Sequence, residues 1–209
     1  MKNVEILYED DLSLVINKPA GLAVQGGKGV KSSLDEILAA MRSPPPLLVH
    51  RLDKDTSGVI LTAKTREAAA LFSRLLGTDR KAVKQYTAVC AGSPQKSEGV
   101  ITMDLHIRGS LKKSETRYRV IQSGEFSVLE VTLGTGRMHQ IRRHLSLSGN
   151  PVLGDDKYGD FALNKKLRKT SGLKRLLLHA SRLVITDVNL DITAPLPDYF
   201  RPFILKSLH

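Results

Sequence analysis

Alternation and helical spacing divide the chain into short strands with a few helices among them. Val4–Tyr8 and Leu12–Asn17 read as two strands joined at Glu9-Asp10-Asp11, the pattern of a hairpin. A glycine-rich stretch, K-P-A-G-L-A-V-Q-G-G-K-G, follows. Ser32 or Ser33 then caps a short helix to about Met41, with Leu34, Ile37 and Leu38 at helical spacing, and Pro44-Pro45-Pro46 ends it. Val59–Ala63 reads as a strand. Thr65 to about Leu76 reads as an amphipathic helix with Ala68, Leu71, Phe72 and Leu75 on one side and Gly77 past its end.

From Val83 the pattern is mostly extended: Lys84–Ala91, Val100–Ile107, Thr116–Gln122 and Phe126–Leu133. A helix is expected from about Met138 to Ser148, closed by Gly149-Asn150-Pro151. Leu176–Thr186 and Leu190–Ala194 read as late strands, and a short helix begins after Pro197. Runs of adjacent strands with few helices predict an α+β fold with a mixed, largely antiparallel sheet core and flanking helices and loops. One domain spanning 1–209 is expected, with a break between two closely joined subdomains near 92–100.

The predicted helix around Met138 carries the most informative residue. Met138, Ile141 and Leu145 define its apolar stripe, and Arg142 falls inside that stripe while Arg143 points away. An inward guanidinium is costly unless an anion meets it, so Arg142 requires a carboxylate or phosphate partner in geometry that can be bidentate. Asp53 and Asp55, in V-H-R-L-D-K-D-T-S-G just before an apolar β-branched run, are candidates. A carboxylate beside such an arginine stays ionised and oriented, as a nucleophile or base requires. Spacing alone does not choose between the two aspartates, and a plain turn or capping role competes for both.

Composition narrows the partner. The 209 residues, 41% hydrophobic, carry 32 Lys+Arg against 21 Asp+Glu, a net charge of +11. Such a balance favours a polyanion, since clustered cations gain affinity by releasing phosphate counterions. The single cysteine, Cys90, excludes an internal disulfide and any multi-cysteine zinc site, and fits a reducing cytosol. No apolar run approaches the roughly 20 residues of a membrane span, and the acidic N-terminus is no secretory signal, so a cytoplasmic location without membrane contact is expected. Gly21 and Gly26 have a P-loop gap, but Gly27 stands where the lysine belongs. His139 and His144, five apart, do not share a helical face, so no metal is expected.

Seven landmarks occur in order: N-K-P-A-G-L-A-V-Q-G-G (17–27), H-R-L-D-K-D-T-S-G (50–58), K-Q-Y-T-A-V (84–89), S-E-T-R-Y (114–118), T-G-R-M-H-Q-I-R-R-H-L (135–145), G-D-D-K-Y-G (154–159) and L-L-L-H-A (176–180). In these the chain resembles the RluA-type pseudouridine synthases over nearly its whole length, and most of all those that modify large-subunit ribosomal RNA. The H-R-L-D and T-G-R-x-H-Q-I-R elements together are highly specific, whereas K-P-x-G-L alone is weak. The resemblance implies the catalytic fold of that family, with a central cleft. It implies isomerisation of uridine to pseudouridine in RNA with base flipping and no cofactor.

The resemblance also assigns residues. Asp53 matches the catalytic aspartate, which selects it over Asp55, and Arg142 matches the basic residue that pairs with it. Tyr86 matches the aromatic that packs on the target uracil, Arg51 the basic residue tied to flipping, and Leu178 the apolar wall of the pocket. His139 and Gln140, within the same helix motif, are expected at the substrate. Two basic runs, Arg108, Lys112 and Lys113, and Lys165, Lys166, Arg168 and Lys169, become candidate RNA-backbone contacts. Strand-like sequence from Val4 leaves no room for the N-terminal S4-type module of many ribosomal members, so the chain is expected to lack it. A monomer acting on large-subunit rRNA is the leading expectation; a tRNA substrate, or an idle RNA-binding assembly factor, are the rivals.

Overall fold

A computed structural model describes residues 4–27, 29–77, 79, 81–107 and 109–204. The chain opens with β1 (Glu5–Glu9), β2 (Ser13–Lys18), α1 (Leu34–Met41), β3 (Leu47–Leu48), β4 (Ser57–Ala63) and α2 (Arg66–Leu76). Six strands follow: β5 (Ala82–Ala91), β6 (Glu98–Ile101), β7 (Leu105–Ile107), β8 (Ser110–Lys112), β9 (Thr116–Gln122) and β10 (Phe126–Leu133). The chain continues through α3 (Gln140–Leu147), α4 (Phe161–Thr170), β11 (Leu178–Ile185) and β12 (Leu190–Thr193), then a 3-10 stretch at Asp198–Phe203. The fold is α+β and largely antiparallel, as the strand-rich pattern predicts. Two compact units share these elements, one built from residues up to Lys84 plus Ala180–Pro195, the other from Gln85–His179 and residues from Leu196 on. The chain changes unit inside β5, inside β11 and after Pro195, whereas residues 92–100 lie within the second unit.

In the first unit β1 and β2 form the expected hairpin, closed by the Asp10 carboxylate, which accepts from the Leu12 N–H at 2.9 Å and the Ser13 N–H at 2.6 Å. Strand order is β1–β2–β4–β11, with β3 on β4 and β12 on β11. Every residue of β4 is buried, which explains its unbroken apolar run: both faces are covered. Val59, Leu61 and Ala63 pack on Ala68, Phe72, Leu75 and Leu76 of α2. Fully burying a side chain such as Phe72 contributes about 2–3 kcal/mol. The Thr65 side chain caps α2 by accepting from the Ala68 N–H at 3.1 Å, and Gly77 ends it. In α1 the Glu36 carboxylate accepts from the Ser33 N–H at 3.0 Å, which selects Ser33 as the cap.

In the second unit the order is β5–β10–β9–β6, antiparallel throughout, and β7 pairs with β8 in a separate hairpin. Val89 and Val128 face a core with Leu167 of α4, Leu173, Leu177, Phe200 and Phe203. The single strand expected over Val100–Ile107 is two, β6 and β7. The break has a local cause: the Met103 carbonyl accepts from the Ser114 hydroxyl at 2.8 Å and from His144 Nε2 at 2.8 Å. Captured by side chains, that carbonyl is withdrawn from any strand ladder. A carbonyl only accepts, so His144 carries its proton on Nε2, and Nδ1 accepts from the Thr116 hydroxyl at 2.9 Å.

Two further features depart from expectation. Met138 is 58% exposed and not part of an apolar stripe, because His139 takes a left-handed φ of 53° and α3 starts only at Gln140. Residues 161–170 form a helix where the sequence showed only a basic run; the Asp160 side chain caps it by accepting from the Leu163 N–H at 2.9 Å. No helix among the described residues is long and apolar enough to cross a membrane.

Candidate active site

The Asp53 turn lies between β3 and β4 in the first unit and is anchored on both sides. Where the β3–β4 pairing stops at Leu48 opposite Thr62, His50 continues it with its side chain: Nε2 accepts from the Leu61 N–H at 2.9 Å. The imidazole is therefore neutral, and burial, with the Lys84 charge second, pushes its pKa down to about 3. Leu52 and Thr56 are buried, Asp53 and Asp55 half-buried, Arg51 and Lys54 exposed. The Thr56 N–H closes the turn on the Asp53 carbonyl at 3.2 Å.

Beyond Asp53 the anchor is Lys18 of the K-P-A-G-L motif. Its side chain is fully buried, and its ammonium donates to the carbonyls of Pro19 at 3.0 Å, Leu22 at 2.9 Å and Lys54 at 3.0 Å. The Gly21 N–H shares the Lys54 carbonyl at 2.9 Å. Burial pushes the Lys18 pKa down to about 7, against the pull of Asp55 and Asp53. The motif that was weak as a signature is thus the clamp that fixes the aspartate turn.

In the second unit the registers Val131↔Tyr86 and Val131↔Tyr118 place Tyr86, Val131 and Tyr118 in one cross-strand row on one face. Helix α3 packs on that face, since Gln140 Nε2 donates to the hydroxyl of Thr116, two residues from Tyr118, at 3.0 Å. Tyr86 is 8% exposed. His179 turns its ring to Phe200, 6.2 Å between centroids, so buried Leu178 alternates to the opposite face of its strand.

Arg142 is buried, as its helical position predicts, at 3% exposure. A carboxylate partner absent from the sequence reading meets it: Asp155 of G-D-D-K-Y-G accepts from Nε and from Nη2, both at 2.7 Å. Asp156 accepts from Nη2 at 3.1 Å, and the Tyr158 ring lies 5.4 Å from the guanidinium carbon. His139 Nδ1 lies 3.0 Å from the Tyr158 hydroxyl. Gln140, expected at the substrate, is committed inward. Its amide donates to the Glu115 carbonyl and the Thr116 hydroxyl, and its oxygen accepts from the Thr135 hydroxyl and the Arg137 N–H. All four bonding positions of the amide are taken, so Gln140 shapes the T-G-R segment.

The basic candidates separate. Lys165, Lys166, Arg168 and Lys169 all project outward from α4, whose inner face is Asn164 and Leu167. Lys112 and Lys113 are exposed, and Arg108 lies outside the described residues. Arg117 and Arg119, in the same stretch, are engaged by Glu115 and Glu130, each at 3.0 Å. Among the described residues no three His, Cys, Asp or Glu side chains gather as metal ligands.

Residues 12–147 match the family described as RNA pseudouridylate synthase, a stretch that includes Asp53, Tyr86 and Arg142. The chain belongs to the RNA pseudouridylate synthase family. A family member from Haemophilus ducreyi, ribosomal large subunit pseudouridine synthase C, is 37% identical over 221 residues, covering 96% of this chain and 68% of its own. The Escherichia coli K12 protein of that name is 39% identical over 197 residues, covering 87% of this chain and 61% of its own. Across these curated relatives the chain spans between 61% and 69% of the relative's length. Human RNA pseudouridylate synthase domain containing 4 has the same fold, with TM-score 0.82 and 29% identity over 94% of this chain and 90% of that one. Human RNA pseudouridylate synthase domain containing 1 gives 0.78 and 27% over 99% and 86%. The reaction of this family is an isomerisation.

Proposed function

We propose that this chain isomerises uridine to pseudouridine in large-subunit ribosomal RNA, with Asp53 as nucleophile. The observation that carries the reading is the family match over the H-R-L-D turn, whose Asp53 is held between the His50 and Lys18 anchors. The ribosomal substrate rests on relatives of 37–40% identity named for the large subunit.

The chemistry is balanced without a cofactor. The C1′–N1 bond breaks, the uracil turns, a C5–C1′ bond forms, and the C5 proton leaves as N1 gains one. One ionised carboxylate is enough to open the sequence at the ribose. In this reading Arg142 serves Asp53 as its basic partner, Tyr86 stacks on the uracil, and Leu178 walls the detached base from water. Exposed Arg51 fills the space the extruded nucleotide leaves, which offsets part of the few kcal/mol that flipping costs. The outward cations of α4 contact phosphates.

Carbodiimide mapping of rRNA and tRNA from cells with and without the gene tests the proposal. The expected result is a large-subunit rRNA site lost on deletion and restored by the wild type but not by Asp53→Ala. A lost site in tRNA instead would overturn the substrate, and no altered uridine anywhere would leave an idle RNA binder.

A further inference from the structure

Asp155 is 1% exposed and gathers four N–H donors on one carboxylate: Arg142 Nε and Nη2, both at 2.7 Å, the Lys157 N–H at 2.9 Å and the Tyr158 N–H at 3.0 Å. Burial would raise its pKa, but the Arg142 guanidinium and these N–H groups outweigh it and hold the carboxylate below its usual range. The backbone carrying that carboxylate is fixed in turn by Asn164 on the inner face of α4. Asn164 Oδ1 accepts from the Gly154 N–H at 2.9 Å, and Nδ2 donates to the Asp155 carbonyl at 3.1 Å. Gly154, at φ +76°, has no space for a side chain: an added Cβ would lie 2.0 Å from the Arg175 carbonyl oxygen. Stability alone is a poor reason to keep this arrangement, because a buried ion pair is often replaceable by apolar groups without loss. An asparagine on the inner face of a helix is likewise a poor choice for packing.

The donor geometry gives the arrangement a purpose. Arg142 has five N–H bonds. Nε uses one on Asp155, and Nη2 has one on Asp155 and one on Asp156. The other two are both on Nη1, while the Tyr158 ring supports a face of the plane. We infer that Asp155 is a positioning residue for Arg142, and Asn164 for Asp155. The pair holds the Nε–Nη2 edge of the guanidinium and so fixes the direction in which Nη1 points. This inference rests on the role proposed above for Arg142.

The test compares turnover and RNA affinity of Asp155→Asn, Asn164→Ser, Arg142→Lys and the double variant Asp155→Asn/Arg142→Lys. Asp155→Asn is expected to lower kcat on the order of 100-fold with KM near the wild-type value, the scale of a misplaced catalytic group. In the Arg142→Lys background the same change should add under about threefold, because both act through one guanidinium. Should Asp155→Asn fail to fold, Asn164→Ser carries the test: it keeps the carboxylate, releases its backbone, and should lower kcat about 10-fold with KM held. Full turnover in Asp155→Asn or in Asn164→Ser while Arg142→Lys is inactive would overturn this inference alone, as would fully additive losses. Full activity in Arg142→Lys would overturn the role of Arg142 itself and this inference with it.

Discussion

The Lys18 ammonium donates to the carbonyl of Lys54 at 3.0 Å, one residue past Asp53, from a position with no solvent exposure. Two segments far apart in sequence are joined by one charged group that satisfies three carbonyls. Lys18→Met leaves all three without that donor, and should destabilise the protein by about 3 kcal/mol in chemical denaturation. The pH dependence adds a sign. The folded pKa, about 7, lies below the ordinary 10.5, so between those values the unfolded chain binds the extra proton. Wild-type stability relative to Lys18→Met should therefore rise from pH 7 to pH 9.5. A gap that stays flat or narrows would count against a strained, buried ammonium.

His50 gives the opposite edge of the pH profile. Its folded pKa of about 3 lies below the ordinary 6.5, so the stability it contributes is complete above 6.5 and lost as pH falls toward 3. His50→Gln can still accept from the Leu61 N–H but does not titrate. The variant should lose less stability than the wild type between pH 7 and pH 4, read by urea unfolding at both values. Equal losses would remove His50 as a source of acid sensitivity.

Gly58, the second residue of β4, has φ +112°, and an added Cβ would lie 2.1 Å from the Ala180 carbonyl oxygen, a backbone atom that cannot move alone. Gly58→Ala is expected to cost at least about 2 kcal/mol, combining left-handed strain with the clash. Thermal melting checks this, and a melting temperature equal to the wild type would show that the strand shifts freely.

Arg51 is exposed, so its removal should leave the fold intact. If it fills the place of an extruded nucleotide, Arg51→Ala should slow turnover of a base-paired target by about 10-fold, while an unpaired fragment loses much less. Single-turnover rates on the two RNAs separate the cases. Equal loss on both would assign Arg51 to general RNA binding.

Legibility in the sequence followed the range of each interaction. Helix α2 was visible because Ala68, Phe72 and Leu75 repeat at 3.6 residues and Thr65 and Gly77 mark its ends. Arg142 was legible as an inward cation for the same reason. The β6–β7 break was not, because His144 and Ser114 capture the Met103 carbonyl from 41 and 11 residues away. Helix α4 was hidden because its buried residues are only Asn164 and Leu167, with cations between and after them. Gln140 looked like a ligand contact because its motif carries function, yet its amide is consumed by four inward bonds.

By itself the sequence determined the α+β class, the family and the need for an anion beside Arg142, since periodicity and motif order are local properties of the chain. Tertiary structure alone decided that Asp155 meets that arginine and that Lys18 holds the Asp53 turn. A bond between a side chain and a distant backbone group leaves no period in the sequence. Its partners are chosen only once folding removes water and each buried donor must find an acceptor.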